Sequence, residues 1–391
     1  MCKWLVTVVL AASFVASSTA RAQTSTNQSA AAPTNQTPAK PSPSPSVYDK
    51  VWGRFTNWYG NESNPVIQRV VFTGRFHHDL VTVNADEGDH KESNVRRLRL
   101  GPRITFARKF LFHAEIEVNP QERDPFYMRF TDLYVQWNKS PRLAVTVGKQ
   151  SVPFTQEGAT SSRELLTIDR SNLANNIWFG QEYMPGVSVS GAAAPWNYRL
   201  GLYSAGAMNR ELGNFSGGVF TLGVLGYDFA KKLGVGQALL TGNYLYQQPD
   251  RDNTFTRRFE HIIAVHFRLE ERHWGMRTDV SRASGYLGQS DLWSLMAMPY
   301  VNATDKLQLI TRFTTVQSDN ANGVQLPTYE NRVVQGRGDA YNEWYVGANY
   351  YFYGHRLKLQ SGLDYVDLDD RANDGGRYSG LGWTTGIRVG W

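Results

Sequence analysis

From Arg97 to Phe106 the chain reads Arg, Leu, Arg, Leu, Gly, Pro, Arg, Ile, Thr, Phe. Polar or small residues at every second position, with apolar residues between most of them, describe a strand with two unlike faces. Successive side chains of a strand point to opposite sides. The alternation recurs in segments of about ten residues bounded by turn residues. They fall at 68–79, 95–106, 109–119, 130–138, 142–149, 186–193, 196–205 and 217–229. The rest are 236–248, 258–269, 273–283, 290–301, 305–317, 341–352, 356–366 and 382–391. The pattern predicts an all-β chain of sixteen strands.

The connections alternate. Tight turns fall near Arg108, near Ser140, and at 194–195, 270–272, 302–304 and 353–355. Long polar connections follow the first strand and recur at 150–183, 318–340 and 367–381. An even number of antiparallel strands, short turns at one rim and long loops at the other describe a transmembrane β-barrel. A soluble β-sandwich does not require that rhythm.

The N-terminal region lacks the alternation. Lys3, the apolar run 5–16 and Ala20-Arg21-Ala22 make residues 1–22 read as a signal peptide. Residues 23–46, rich in Ser, Thr and Pro, cannot bury a core and read as a disordered linker on the periplasmic side. Within 47–65, Val47, Val51, Phe55 and Trp58 recur at helical spacing. An amphipathic helix is expected there, capping the periplasmic mouth or, alternatively, plugging the lumen. The barrel occupies 66–391.

Composition fits this reading. Mean hydropathy is −0.43, and no segment after the leader is apolar enough for a membrane helix. A barrel exposes only every second residue to lipid, so its average hydropathy stays low. Loss of Lys3 and Arg21 takes the net charge from +6 to +4, which is no nucleic-acid-binding surplus. The one cysteine, Cys2, lies in the leader, so disulfides are not expected.

The hairpin of the second and third strands shows what each side would meet. Leu98, Leu100, Ile104, Phe106, Phe110, Phe112, Ala114, Ile116 and Val118 form the lipid face. Arg97, Arg99, Arg103, His113, Glu115 and Glu117 form the water-filled face. A turn centred on Arg108 sets Arg103 opposite His113 and Arg99 opposite Glu117. Arg69 and Arg75 lie on the first strand, Arg356 and Lys358 on the fifteenth, and Arg388 on the last. Closure would make these strands neighbours. The expected lumen has one basic sector facing a weaker acidic side that includes Glu115 and Glu117, with a mild anion preference. The competing reading has the arginines merely holding carboxylates and stiffening the wall.

Residues 150–183 carry Glu157, Arg163, Glu164, Asp169, Arg170 and Glu182 with Trp178, Phe179 and Tyr183. A loop this long is functional or packed on itself. It is expected to fold inward and constrict the channel; the alternative is a surface loop clamped by its own ion pairs. In 382–391, Trp383, Thr385, Ile387, Val389 and Trp391 share one face. An aromatic at the end of such a strand resembles the signal read by the barrel-assembly machinery, with Trp391 in place of the usual phenylalanine.

"GKQSVPFTQEG" (148–158), "ELLTIDRSN" (164–172), "MPGVSVSG" (184–191), "RRLRLG" (96–101) and "FTGRF" (72–76) together resemble motifs of the phosphate-selective porin O/P family. The resemblance implies a sixteen-stranded outer-membrane porin, trimeric, with an inward third loop and passive diffusion of small hydrophilic solutes and ions. In that family phosphate selection is ascribed to a lumenal arginine ladder and a lysine cluster. Arg97, Arg99 and Arg103 match a short ladder. Lys149 only borders the third loop, which has no lysine, so the expectation is a diffusion pore leaning toward anions.

Other chemistries leave weaker traces. The chain has no Gly-x-Ser-x-Gly elbow and no phosphate-binding loop motif. His77, His78, Asp79, Asp86, Asp89 and His90 surround the first loop, and Asp367, Asp369, Asp370 and Asp374 the last. Neither follows full EF-hand spacing; both are expected to be solvated or to hold cations loosely. No cofactor, metal site or catalytic residue is expected. An outer-membrane phospholipase or protease, and a secreted carbohydrate-binding β-protein, stand as alternatives.

Overall fold

The computed structural model describes residues 46–177, 183–205, 211–212, 217–253 and 257–391. The leader, most of the linker, and Trp178, Phe179 and Glu182 lie outside the described residues. One sheet contains seventeen strands. One is the four-residue Asn57–Gly60; the other sixteen form the wall. They are β1 (Ile67–Ala85), β2 (Gly88–Phe106), β3 (Phe110–Val118), β4 (Tyr127–Ser140), β5 (Leu143–Ser151), β6 (Tyr183–Ala193), β7 (Trp196–Ser204) and β8 (Val219–Asp228). There follow β9 (Gln237–Gln247), β10 (Phe259–Glu270), β11 (Trp274–Gly285), β12 (Leu292–Asn302), β13 (Leu307–Ser318), β14 (Ala340–Tyr353), β15 (Leu357–Asp369) and β16 (Tyr378–Gly390). Each pairs antiparallel with the next, and β16 closes on β1 from Gly380↔Ala85 to Gly390↔Arg75. Closure leaves no edge of unpaired backbone, the condition for strands to cross hydrocarbon.

The outward rows are apolar and exposed: Leu200 and Leu202, Ile263 and Val265, Trp344 and Val346, Leu363 and Tyr365, Trp383 and Ile387. A continuous apolar belt of this size is unstable in water and is satisfied by lipid. The secreted soluble alternative is set aside on this ground. The hairpin register is as the sequence predicted, with Arg103↔His113 and Arg99↔Glu117.

The expected long loop after the first strand is instead strand. β1 and β2 each run for 19 residues and meet in a turn at Asp86 and Glu87. About 9–11 residues suffice to cross a bilayer, so this hairpin stands beyond the long-loop rim. Val81 and Val83 explain the extension: both are buried, packed with loop residues inside the rim.

α1 (Val47–Thr56) begins at Ser46, whose hydroxyl and backbone form a capping box with Asp49. It leads into Asn57–Gly60, which pairs with Arg69–Val71 of β1, below the point where β16 ends. The helix packs on the outer side of the short-turn rim: Trp52 Nε1 donates to the Gly390 carbonyl at 2.6 Å, and Tyr48 stacks on Tyr353. Its contacts are not those of a lumen plug.

Candidate functional site

The inward faces of the wall differ by sector. On β12, Leu292, Ser294, Met296, Met298 and Tyr300 point inward and are buried. Ile262 and Ala264 of β10, Ile310 and Val316 of β13, and Val366 and Leu368 of β15 extend the same apolar lining. It is covered by the loop between β5 and β6. That loop turns into the barrel, and Val152, Phe154, Leu166 and Leu173 join the wall in one cluster. Its short helix α2 (Asn172–Ile177) rests against β11, β12 and β13. Hydrophobic burial therefore holds the loop inward.

Charged side chains fix it. Arg163 donates to Thr73 Oγ1 at 2.7 Å and to the Trp391 main-chain oxygen at 3.1 Å, and lies 3.5 Å from Glu115. Arg75 bonds Ser162 of the loop at 2.7 Å and Glu115 at 3.1 Å. Lys358 donates to the Leu165 carbonyl at 2.6 Å. Arg388 meets Asp79 at 2.5 Å and the Ile168 carbonyl at 3.4 Å. On the far wall Arg312 reaches Glu157 at 3.3 Å, the Asp169 carbonyl at 2.9 Å and Glu343 at 2.6 Å. Within the loop, Arg170 donates to the Glu157 carbonyl at 2.8 Å and the Thr160 carbonyl at 3.0 Å. The Glu164 backbone N–H closes a turn on Ser161 at 2.8 Å.

Much of the expected basic wall thus serves as scaffold. The expected transverse arrangement is corrected as well. Glu115 and Glu117 do not face the basic sector across the lumen; they stand inside it, Glu117 between Arg99 at 3.0 Å and Arg129 at 2.8 Å. Arg99 also bonds the Tyr183 hydroxyl at 2.6 Å. Burial near so many cations requires counter-charges within reach. Arg69 and Arg356 stand exposed at the short-turn rim, Arg69 within 3.4 Å of Asn57 and Arg356 over the Tyr353 ring. Arg103 is exposed. Lys149 is held by Glu211 at 2.9 Å.

Between β2–β4 and the loop lies a cavity of about 440 Å³. Arg96, Arg97, Arg99, Arg129, Arg170, Arg257 and Arg332 line it, against two carboxylates, Glu117 and Asp169. The connection between β13 and β14 contributes Gln325, Leu326 and Asn331 to its roof. That connection is tied to α2 by Asn172 and Asn176, which both donate to the Gln325 carbonyl at 2.9 Å. Burial raises the Asp169 carboxyl, yet Arg96 and Arg97 outweigh it and hold Asp169 below the usual carboxylate range. Burial, with Arg337 nearby, brings Arg257 down to about 10, so it remains a cation at neutral pH. Guanidinium forks gathered along one cleft sum to a positive field that the low-dielectric walls focus, and so attract anions.

Arg129, Arg257, Arg312, Arg332 and Glu343 are site residues that the sequence reading missed. Arg312 carried a signal, as the one charge in an inward row of Gln308, Ile310, Thr314 and Val316, where a lone buried charge needs a partner. Arg257 and Arg332 sit in loops, where no periodicity could aim them. Among the described residues no cluster of three or more metal-ligating side chains occurs.

The profile of one sequence family, phosphate-selective porin O and P, matches residues 70–284, more than half of the chain. Curated protein sequences give no match. Solved structures match in fold. The anion-selective porin from Comamonas acidovorans aligns at TM-score 0.60 and 13% identity, over 82% of this chain and 99% of that one. Salmonella typhi OmpF in complex with daunomycin aligns at 0.62 and 11%, over 86% and 100%. The trimer form of OmpT, an outer membrane protein of Vibrio cholerae, aligns at 0.52 and 12%, over 82% and 99%.

Proposed function

Because this chain belongs to the phosphate-selective porin O and P family, and is therefore an integral outer-membrane channel, we propose that it passes small hydrophilic solutes by diffusion with a preference for anions. The observation that carries the preference is the cavity where seven arginines face two carboxylates. Small anions entering from the long-loop rim meet this field before the constriction. The constriction itself is held by Arg75, Arg163, Arg312, Lys358 and Arg388. The anion-selective Comamonas porin of the same fold supports the reading.

Phosphate as the particular solute has less support. Lys149 is engaged by Glu211, and the constriction loop has no lysine. The supported class is small anions. A homotrimer is the assembly favoured by the fold, given the trimer form of the Vibrio OmpT barrel. The short-turn rim, with α1 and the linker, belongs to the periplasmic side, and Trp391 serves the assembly machinery.

Planar-bilayer recording under a potassium chloride gradient tests the reading. The expected reversal potential is anionic in sign, and the triple substitution R97Q/R129Q/R332Q moves it toward cations. An unchanged potential in that variant would refute the assignment to the vestibule. Competition by phosphate and by neutral sugars then separates anion preference from phosphate preference.

A further inference from the structure

α1 has two apolar faces, and the barrel covers only one. Tyr48 and Trp52 turn toward the rim, where they meet Tyr353 at 5.2 and 5.4 Å. Val47, Val51 and Phe55 lie four residues apart and form one stripe. They are 75%, 56% and 52% exposed. Lys50 and Arg54, also four apart, form the next stripe, on the side away from Trp52. Asp49 and Gly53 complete the turn of the wheel.

What lies beside the exposed stripe identifies its surroundings. Phe55 meets Phe72 at 5.6 Å and Trp391 at 5.8 Å. Trp58 stacks on Phe72 at 4.8 Å. Phe72 and Trp391 begin the outward rows of β1 and β16, which continue to Leu80 and to Ile387 and Trp383, all exposed. The stripe is thus continuous with the lipid-facing belt of the barrel, at the height where aromatic residues mark a membrane interface.

We propose that α1 is an interfacial membrane helix. Its Val47–Val51–Phe55 stripe sits among acyl chains, and Lys50 and Arg54 reach the phosphate headgroups of the leaflet at the short-turn rim. An apolar face bordered by cations is the composition that binds anionic phospholipid surfaces, and long basic side chains extend to headgroups while their stems stay in apolar surroundings. The occupant is lipid. The inference rests on the barrel spanning the membrane and is independent of which solute passes.

The test uses the full chain in a C2S background, spin-labelled at V51C, V47C or G53C and reconstituted in phosphatidylethanolamine–phosphatidylglycerol vesicles. The ratio of oxygen to nickel-chelate accessibility is expected to be severalfold higher at 51 and 47 than at 53. Retained channel conductance in the same vesicles certifies a folded barrel. Equal ratios with high nickel access at all three positions would place the helix in water and overturn the proposal. Low access to both reagents at 47 and 51 would mean a protein partner covers the stripe, and would overturn it too.

Discussion

Arg312 on β13 and Glu157 in the constriction loop meet at 3.3 Å, with neither side chain more than 5% exposed. The pair joins the barrel wall to a loop that leaves it eight strands earlier. Arg312 also holds Glu343 at 2.6 Å, so its removal strands two buried carboxylates. Breaking a buried pair from one side costs about 3–5 kcal/mol. R312L is therefore expected to lower the thermal midpoint and to give larger, noisier single-channel currents as the loop detaches. Adding E157Q and E343Q should restore part of the stability, because no unpaired charge is then buried. A triple variant as unstable as R312L would show that packing, and not charge, is at stake.

The strand order and the hairpin register were legible in the sequence because two constraints coincide. Inward and outward side chains alternate strictly, and a one-residue slip would turn Leu98 and Leu100 into the lumen and Arg97 and Arg99 into lipid. The partition of the lumen was less legible. On β12 both rows are apolar, Trp293, Leu295, Ala297 and Val301 outward and Leu292, Met296 and Met298 inward. Such a strand meets apolar surroundings on both sides, lipid outside and the covering loop inside, and its apolar inward row is the trace of that loop. The basic wall was visible as residue type but not as role. Arg75, Arg388 and Lys358 acquire theirs from Ser162, Asp79 and the Leu165 carbonyl, partners 87 or more positions away that no local spacing can reveal.

The same distinction between scaffold and vestibule predicts how selectivity responds to salt. If the cavity arginines act through their summed field, screening must weaken them. The Debye length shrinks from about 10 Å at 0.1 M salt to about 3 Å at 1 M. Anion selectivity, read as the reversal potential at a fixed activity ratio, should be highest in dilute salt and decline toward neutrality in concentrated salt. The paired arginines of the constriction, buried against carboxylates and carbonyls, contribute little to that change. A selectivity that persists undiminished at high salt would point to a tight, dehydrated site in place of a field.

Glu330 gives the connection between β13 and β14 a dependence on pH. It is 6% exposed, in the turn Glu330–Arg332. Burial pushes its carboxyl well above the ordinary value of 4.5, and the neighbouring Asp364, which shares a hydrogen bond with it, and Glu343 push it in the same direction. Docked inside the barrel the carboxyl keeps its proton; released into water it would lose it near the ordinary value. Above about pH 4.5, each further unit therefore weakens docking by about 1.4 kcal/mol until the docked group itself ionises. The connection is held most firmly in acid and least firmly in alkali. Single-channel conductance is expected to rise with pH across that window, as this segment leaves the roof of the arginine cavity. E330Q keeps a hydrogen-bonding side chain of the same shape but cannot ionise, so its conductance should stay near the acid value at every pH. If the wild-type and E330Q profiles are parallel, the titrating group lies elsewhere.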